Sequence, residues 1–275
     1  MRSSTDLVQQ LRECGYATVA LPAVCQQAID ATFEAGMQFF NAAASDKLAC
    51  RLPLDCGYRA FGTEYSVSSS IPDALDSFTV SDRTRTSGEM LLVEVGRTLH
   101  RRMSLAFDML EQVADQLVQK IARDAGGPNV LPARILRRWS RLQLNRAQPL
   151  ATQNHYVNEL HEDGHFLTIA KSTGPGLEVK CPDGTFQSPT VAGGDGLIMP
   201  GQIAELMTGG KVRPLYHRVR KLGGQDNRMA LLFFADITPE YCEPWIRSEV
   251  NADVDVAERV RSNSSRFGVR DFPVE

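Results

Sequence analysis

From Arg141 onward the chain breaks into short apolar runs, RLQLN, HFLTIA, GLEVK, DGLIMP and RMALLFFADI, separated by segments carrying glycine, proline and aspartate. Short runs rich in β-branched and aromatic residues between turn residues read as strands, and several at this spacing leave few solutions beyond an antiparallel sandwich or jelly roll. The first half has another period. After Leu21-Pro22, the segment VCQQAIDATFEAGMQFFNAA places Ala28, Phe33, Met37 and Phe40 at helical spacing. A stretch from Glu89 to Ala125 keeps Leu92, Leu99, Met103, Phe107, Leu110, Val113 and Leu117 on a recurring face until Gly126-Gly127-Pro128 stops it. Between these helices DCGYRAFGTEYSVSSSIPD reads as loop with short strands. The expectation is a mainly β fold with peripheral α-helices in one domain spanning 1–275. Its parts are a mainly helical N-terminal region with short strands (1–130), a jelly-roll core (131–250), and a polar tail (251–275) that forms a covering helix or a lid.

Composition narrows the function classes. With 275 residues, 43% hydrophobic, 23% charged and a net charge of −3, the chain reads as globular and soluble, with no basic excess to hold nucleic acid. No segment approaches eighteen uninterrupted apolar residues, and no apolar run follows the early arginine of MRSSTDLVQQLRECGY, so no membrane partner is expected and a cytoplasmic location is. Cys14, Cys25, Cys50, Cys56, Cys181 and Cys242 lie far apart without a C-x-x-C pair, which predicts reduced thiols rather than a zinc knuckle or redox dithiol. Oligomeric state is left open.

The chemistry concentrates in QNHYVNELHEDGHFLTIAKSTGPGLEVK. His161 and Asp163 stand two apart, so on an extended strand both side chains point to one face and can reach one ion. His217, in the strand-like run LYHRV, supplies a third ligand that a sandwich brings close. Two histidines and one carboxylate on one octahedral face leave positions open for O2 and a bidentate co-substrate, the arrangement of a non-haem Fe(II) oxygenase. The same residues also spell H-E-x-x-H through His161, Glu162 and His165, the zinc-hydrolase signature, which requires a helix over about 158–168. Asp163-Gly164 and the β-branched flank favour a strand instead.

Longer segments resemble the isopenicillin N synthase-like family of Fe(II)/2-oxoglutarate-dependent dioxygenases over nearly the whole length. RECGYATVALP is similar to the family's opening strand, and MQFFNAAASDKLA to its helix ending in Phe-Phe and a lysine; GYRAFGTE and DALDSFTV resemble its Gly-Tyr and Asp-x-x-(Glu/Ser)-Phe segments. H-x-D, LTI at 167–169, GLEV at 176–179, Thr208-Gly209-Gly210 and HRV at 217–219 follow in the family's order. The resemblance implies a double-stranded β-helix core flanked by helices, and His161, Asp163 and His217 as catalytic iron ligands. Asp163 occupies the position that related halogenases leave small, which argues for hydroxylation, desaturation or oxidative cyclisation of a small molecule, as in specialised metabolite biosynthesis. It also implies 2-oxoglutarate as co-substrate, its far carboxylate paired with Arg228 in NRMALLFF and Asn145 nearby. The family's serine and tyrosine contacts are replaced by Ala230 and Ala147. The alternatives are a 2-oxoglutarate-independent iron oxidase of this fold and a non-catalytic ligand-binding relative.

Tyr58, Tyr65 and Ser66 lie in the loop that the resemblance places over the pocket, and with His165 they are candidate substrate contacts, although Gly-Tyr equally suits a packing corner. His155 and His165 otherwise read as packed or solvated residues, and His100 as a surface residue. Arg134, Arg137, Arg138, Arg141 and Arg146 read as a solvated charged face, with an anion-recognising rim as the alternative. Phe233 and Phe234 read as core strand.

Overall fold

The computed structural model describes residues 7–52, 56–66, 72–133, 135–136, 139–148, 155–223 and 227–266, with side chains up to residue 263. Its N-terminal part forms α1 (Leu7–Cys14), β1 (Ala17–Ala20), α2 (Ala23–Phe40), α3 (Ala44–Leu48), β2 (Gly57–Arg59), β3 (Leu75–Ser81) and α4 (Glu94–Asp124). There follow β4 (Arg141–Ala147), β5 (Tyr156–His161), β6 (Leu167–Ser172), β7 (Leu177–Lys180), β8 (Phe186–Gln187), β9 (Asp195–Pro200), α5 (Gln202–Met207), β10 (His217–Arg220), β11 (Met229–Ala235) and α6 (Val256–Arg266). The strands pair antiparallel in a larger sheet ordered β1-β9-β6-β11-β4-β3-β2 and a smaller one ordered β5-β10-β7-β8. From β4 to β11 the chain passes back and forth between the two sheets, which is the double-stranded β-helix. The N-terminal strands extend its larger sheet at both edges.

Period-two alternation gives the larger sheet two working faces. On β11, Met229, Leu231, Phe233 and Ala235 are buried on the helix side, while Ala230, Leu232 and Phe234 turn toward the space between the sheets. Phe233 therefore meets Phe107 of α4 edge to face at 5.2 Å, whereas Phe234 is an interior wall residue and not core, a correction to the reading of both as core strand. Helix α2 rides close on β4, because a Cβ at Gly36 would run into the Leu144 side chain. At its C-terminal end Phe39 packs edge to face on Phe78 of β3 and Tyr58 of β2, at 5.1 and 5.7 Å.

Two helical expectations change. The long helix starts at Glu94 rather than Glu89, because residues Asp82–Met90 form a 3-10 segment capped by Ser81 and Thr84. His100 is not on the surface: it is 3% exposed, with its Nε2 2.9 Å from the Thr84 carbonyl. Burial lowers its pKa and keeps the imidazole neutral, so it joins α4 to the 3-10 segment without a buried charge. The polar tail is a helix to Arg266, with Val256 and Val260 buried beneath it. No described helix is long and apolar enough to cross a membrane, and all six cysteines are free thiols.

The alternation on β11 has a measurable consequence. Phe233→Ala should cost about 3–5 kcal/mol of folding free energy in equilibrium denaturation. Phe234→Ala, which opens onto an existing cavity, should cost less than half of that; equal losses would place both rings in the core.

Candidate metal centre and its cavity

His161 is the last residue of β5, His217 the first of β10, and the two are direct cross-strand partners in the smaller sheet. Asp163 follows in the turn from β5 to β6, in the other sheet. One ligand atom from each of the three lies within 4.8 Å of the others. The Asp163 Oδ1 stands 3.7 Å from His161 Nε2 and 3.8 Å from His217 Nε2. Each ring is held from behind: His161 Nδ1 lies 2.6 Å from the Glu159 carbonyl and His217 Nδ1 3.2 Å from the Leu215 carbonyl. Donation from Nδ1 to those carbonyls puts the lone pair on Nε2, toward the shared point. The Thr168 hydroxyl donates to Asp163 Oδ2 at 2.5 Å, which leaves Oδ1 for a metal.

Electrostatics favour the ligating forms. Burial pushes the Asp163 carboxyl up, but the pull of His217 and His161 and the Thr168 hydrogen bond outweigh it and leave its pKa below the ordinary value. Burial holds the His217 imidazole below its usual range despite the neighbouring carboxylate. An ionised Asp163 with the His217 and His161 ring nitrogens beside it is a donor set that fits a divalent metal.

The turn carrying Asp163 is fixed by a backbone approach that only glycine permits. Gly201, just before α5, has the carbonyls of Asp163 and His165 where its Cβ would stand. Gly201 N donates to Phe166 O at 3.1 Å, while Gln202 N and Ile203 N donate to the carbonyls of Asp163 and His165 at 3.2 Å each. A helix over 158–168 is absent, since β5 ends at His161 and β6 begins at Leu167. His165 does not join the other histidines: its Nδ1 lies 2.5 Å from Asp236 Oδ2 and its ring packs on Phe234. The H-E-x-x-H zinc arrangement therefore does not form.

The triad opens into a cavity of about 550 Å³ between the sheets. Strand register arranges the larger sheet's contribution in rows. Nearest the triad, Met199, Thr168, Phe234 and Arg141 are neighbours across β9, β6, β11 and β4. The next row is Leu197, Ala170, Leu232 and Gln143, and the third is Ser172, Ala230 and Asn145, which reaches Ser77 and Arg59 on β3 and β2. The last row brings Ala147 to Leu75, with Ala147 N donating to the Arg228 carbonyl at 3.0 Å. Ala147 and Leu75 pack with Val157 and Val219 into an apolar belt completed by Leu177.

Arg228 is 8% exposed and lines the far end of the cavity. Its Nε donates to the carbonyls of Pro175 and Gly174, at 2.7 and 3.3 Å, and it makes no ion pair with a described carboxylate. Asn145 also lines the cavity and accepts from Gln143 Nε2 at 2.8 Å. Tyr65 lines it with its hydroxyl donated to the Gly62 carbonyl, and Ser66 donates to Asp73. Tyr58 is a correction: it is packed away from the cavity, its hydroxyl donating to Asp76, so Gly-Tyr is the packing corner. The arginine cluster is not one solvated face. Arg141 is buried in the cavity wall, Arg146 binds Asp76 and stacks on Phe40, and Arg134, Arg137 and Arg138 lie outside the described residues.

Several contributing residues had no local signal. Arg59 and Glu64 form an ion pair at 2.5 Å that also engages the buried Ser77 and, on the cavity wall, Gln143. Asp236 and Thr168 act through partners distant in sequence or on the next strand. Only register, which a single sequence does not carry, would have found them.

No family model matches the chain, and no curated protein does. Solved structures match over nearly its full length. A Caulobacter crescentus protein described as of the 2OG-Fe(II) oxygenase family superposes with a TM-score of 0.73 at 17% identity, covering 95% of this chain and 93% of its own. A full-length Neurospora crassa protein, in complex with alpha-KG, gives 0.72 at 16% identity, covering 93% and 88%. Arabidopsis thaliana AtDAO1 (dioxygenase for auxin oxidation 1), in a binary complex with 2-oxoglutarate, gives 0.68 at 17% identity, covering 90% and 92%. These likenesses establish the fold.

If Thr168 orients Asp163, Thr168→Val should weaken Mn(II) binding about 10–100-fold in anaerobic titration while the protein remains folded. An unchanged affinity would remove Thr168 from the site.

Proposed function

We propose that the chain is a non-haem Fe(II)- and 2-oxoglutarate-dependent oxygenase that hydroxylates, desaturates or oxidatively cyclises a small molecule, as in cytoplasmic enzymes of specialised metabolite biosynthesis. The observation that carries this reading is Arg228. A buried guanidinium with no counter-ion among the described residues is costly, and burial alone lowers its pKa to about 10. It faces the same cavity as a buried two-histidine, one-carboxylate triad. A small dicarboxylate meets both ends: one carboxylate pairs with Arg228 in a charge-assisted contact, and the oxo-acid end reaches the metal. The alpha-KG bound by the Neurospora crassa protein and the 2-oxoglutarate bound by AtDAO1 support the choice of co-substrate.

His161, Asp163 and His217 would hold Fe(II), which with O2 and 2-oxoglutarate supplies the oxidising power for C–H chemistry and leaves succinate and CO2. The chain's other residues bind, orient and exclude water. Arg228 fixes the co-substrate's far end. Asn145 and Ser172 flank Ala230 on the two neighbouring strands, so an amide and a hydroxyl lie beside the position of the absent serine. The apolar belt of Leu75, Ala147, Val157, Leu177 and Val219 keeps the Arg228 end of the cavity dry, which strengthens each polar contact there. Tyr65, His165 and the Arg59–Glu64–Gln143 cluster line the space left for substrate.

In anaerobic calorimetry the Fe(II)-loaded protein should bind 2-oxoglutarate, and Arg228→Met should weaken that binding by about 1.5–3 kcal/mol. Aerobically, iron-dependent succinate release should disappear in His217→Ala. A metal-loaded protein that neither binds nor consumes 2-oxoglutarate would refute the proposal. It would favour a second reading, an iron oxidase drawing all its electrons from substrate or an external reductant, to which Ala147 and Ala230 point because two donors are missing at the co-substrate end.

A further inference from the structure

Two chains of contact run from helix α6 to the turn that carries Asp163. In the first, Asn263 is 1% exposed, and its side-chain amide lies 3.2 Å from His165 Nδ1. His165 is two residues beyond Asp163. The same nitrogen stands 2.5 Å from Asp236 Oδ2, and Asp236 Oδ1 accepts from Phe166 N at 3.2 Å, so one carboxylate fixes both the His165 ring and the backbone where the turn enters β6. In the second, Arg259 Nε donates to Gln202 Oε1 at 2.8 Å, one turn of helix earlier than Asn263. Gln202 N in turn contacts Glu162 Oε2 at 3.1 Å and the Asp163 carbonyl at 3.2 Å. The two contacts share a face, because residues four apart on a helix do.

We propose that Asn263 and Arg259 are positioning residues for the metal-binding carboxylate, so that α6 is part of the metal centre as well as a cover for the core. This rests on the reading of His161, Asp163 and His217 as metal ligands. The geometry makes the role specific. The turn is gripped by Gly201 and Gln202 and through Asp236, whereas α6 packs the Asn263 amide against His165, whose Nδ1 donates to Asp236, and hydrogen-bonds the Gln202 side chain through Arg259. Loss of either contact frees the turn to rotate Asp163 Oδ1 away from the two Nε2 atoms without disturbing the strands that carry the histidines.

The experiment titrates the metal-free full-length protein with Co(II) under anaerobic conditions and records binding heat and visible absorption. The variants are Asn263→Ala, Arg259→Ala and Arg259→Lys, with Glu258→Gln on the exposed side of the same helix as control. Both alanine variants should bind Co(II) about tenfold more weakly with altered ligand-field bands, Arg259→Lys should recover most of the affinity, and Glu258→Gln should stay within roughly twofold. Thermal melts of the metal-free forms identify variants that fold, and if Asn263→Ala does not, the Arg259 pair decides. Affinity and spectrum matching wild type in the folded alanine variants would overturn the positioning role and leave the metal centre standing. A wild-type protein that takes up no Co(II) would overturn both.

Discussion

A carboxylate buried between two sheets cannot be held by one partner, and Asp163 draws its compensation from every direction. Two imidazoles face Oδ1, a hydroxyl from the neighbouring strand holds Oδ2, and the backbone behind it is sewn to the start of α5. One carboxylate oxygen faces two ring nitrogens, an arrangement that a shared cation would stabilise. The rest of the cavity follows from this point. Strands β5 and β10 must pair so that their ends meet at it, and β6 must begin beside it with threonine.

Away from that point the cavity divides by chemistry. Its β9–β6–β11 side presents Met199, Leu197, Ala170, Leu232 and Phe234, while the β4–β3–β2 side presents Arg141, Gln143, Asn145 and Arg59. A small molecule lying between them would meet an apolar wall and a hydrogen-bonding wall. Preorganisation of the polar wall through Arg59, Glu64, Ser77 and Gln143 means its groups need not reorient on binding, which favours discrimination between closely similar molecules.

The sequence was most readable where chemistry is local. His161 and Asp163 two apart on a strand, the change of period at Arg141, and the stop at Gly126-Gly127-Pro128 each state their consequence within a few residues. Arg228 and Asn145 were found by resemblance rather than by any local pattern, and both line the cavity. What failed was whatever depends on register or long-range pairing. Arg141 and Arg146 resemble solvated charges in sequence but face a cavity wall and a buried aspartate. His100, on a helix with arginines on either side, is buried because a carbonyl of the preceding 3-10 segment meets it. Tyr58 and Phe234 fall on opposite faces from those expected, because a one-residue difference in strand phase reverses a side chain.

In the larger sheet most neighbours are strangers in sequence. β4 pairs with β11, β6 with both β9 and β11, and β1 with β9, so closing it brings together segments from opposite ends of the chain. Such non-local pairing makes folding slow, because loop entropy is lost before the contacts that reward it are formed. His161 and His217 meet when β5 pairs with β10, and Asp163 joins them when the following turn is held against the start of α5. A metal held by the three would thus be captured late in the life of the chain, after β5 and β10 have found each other.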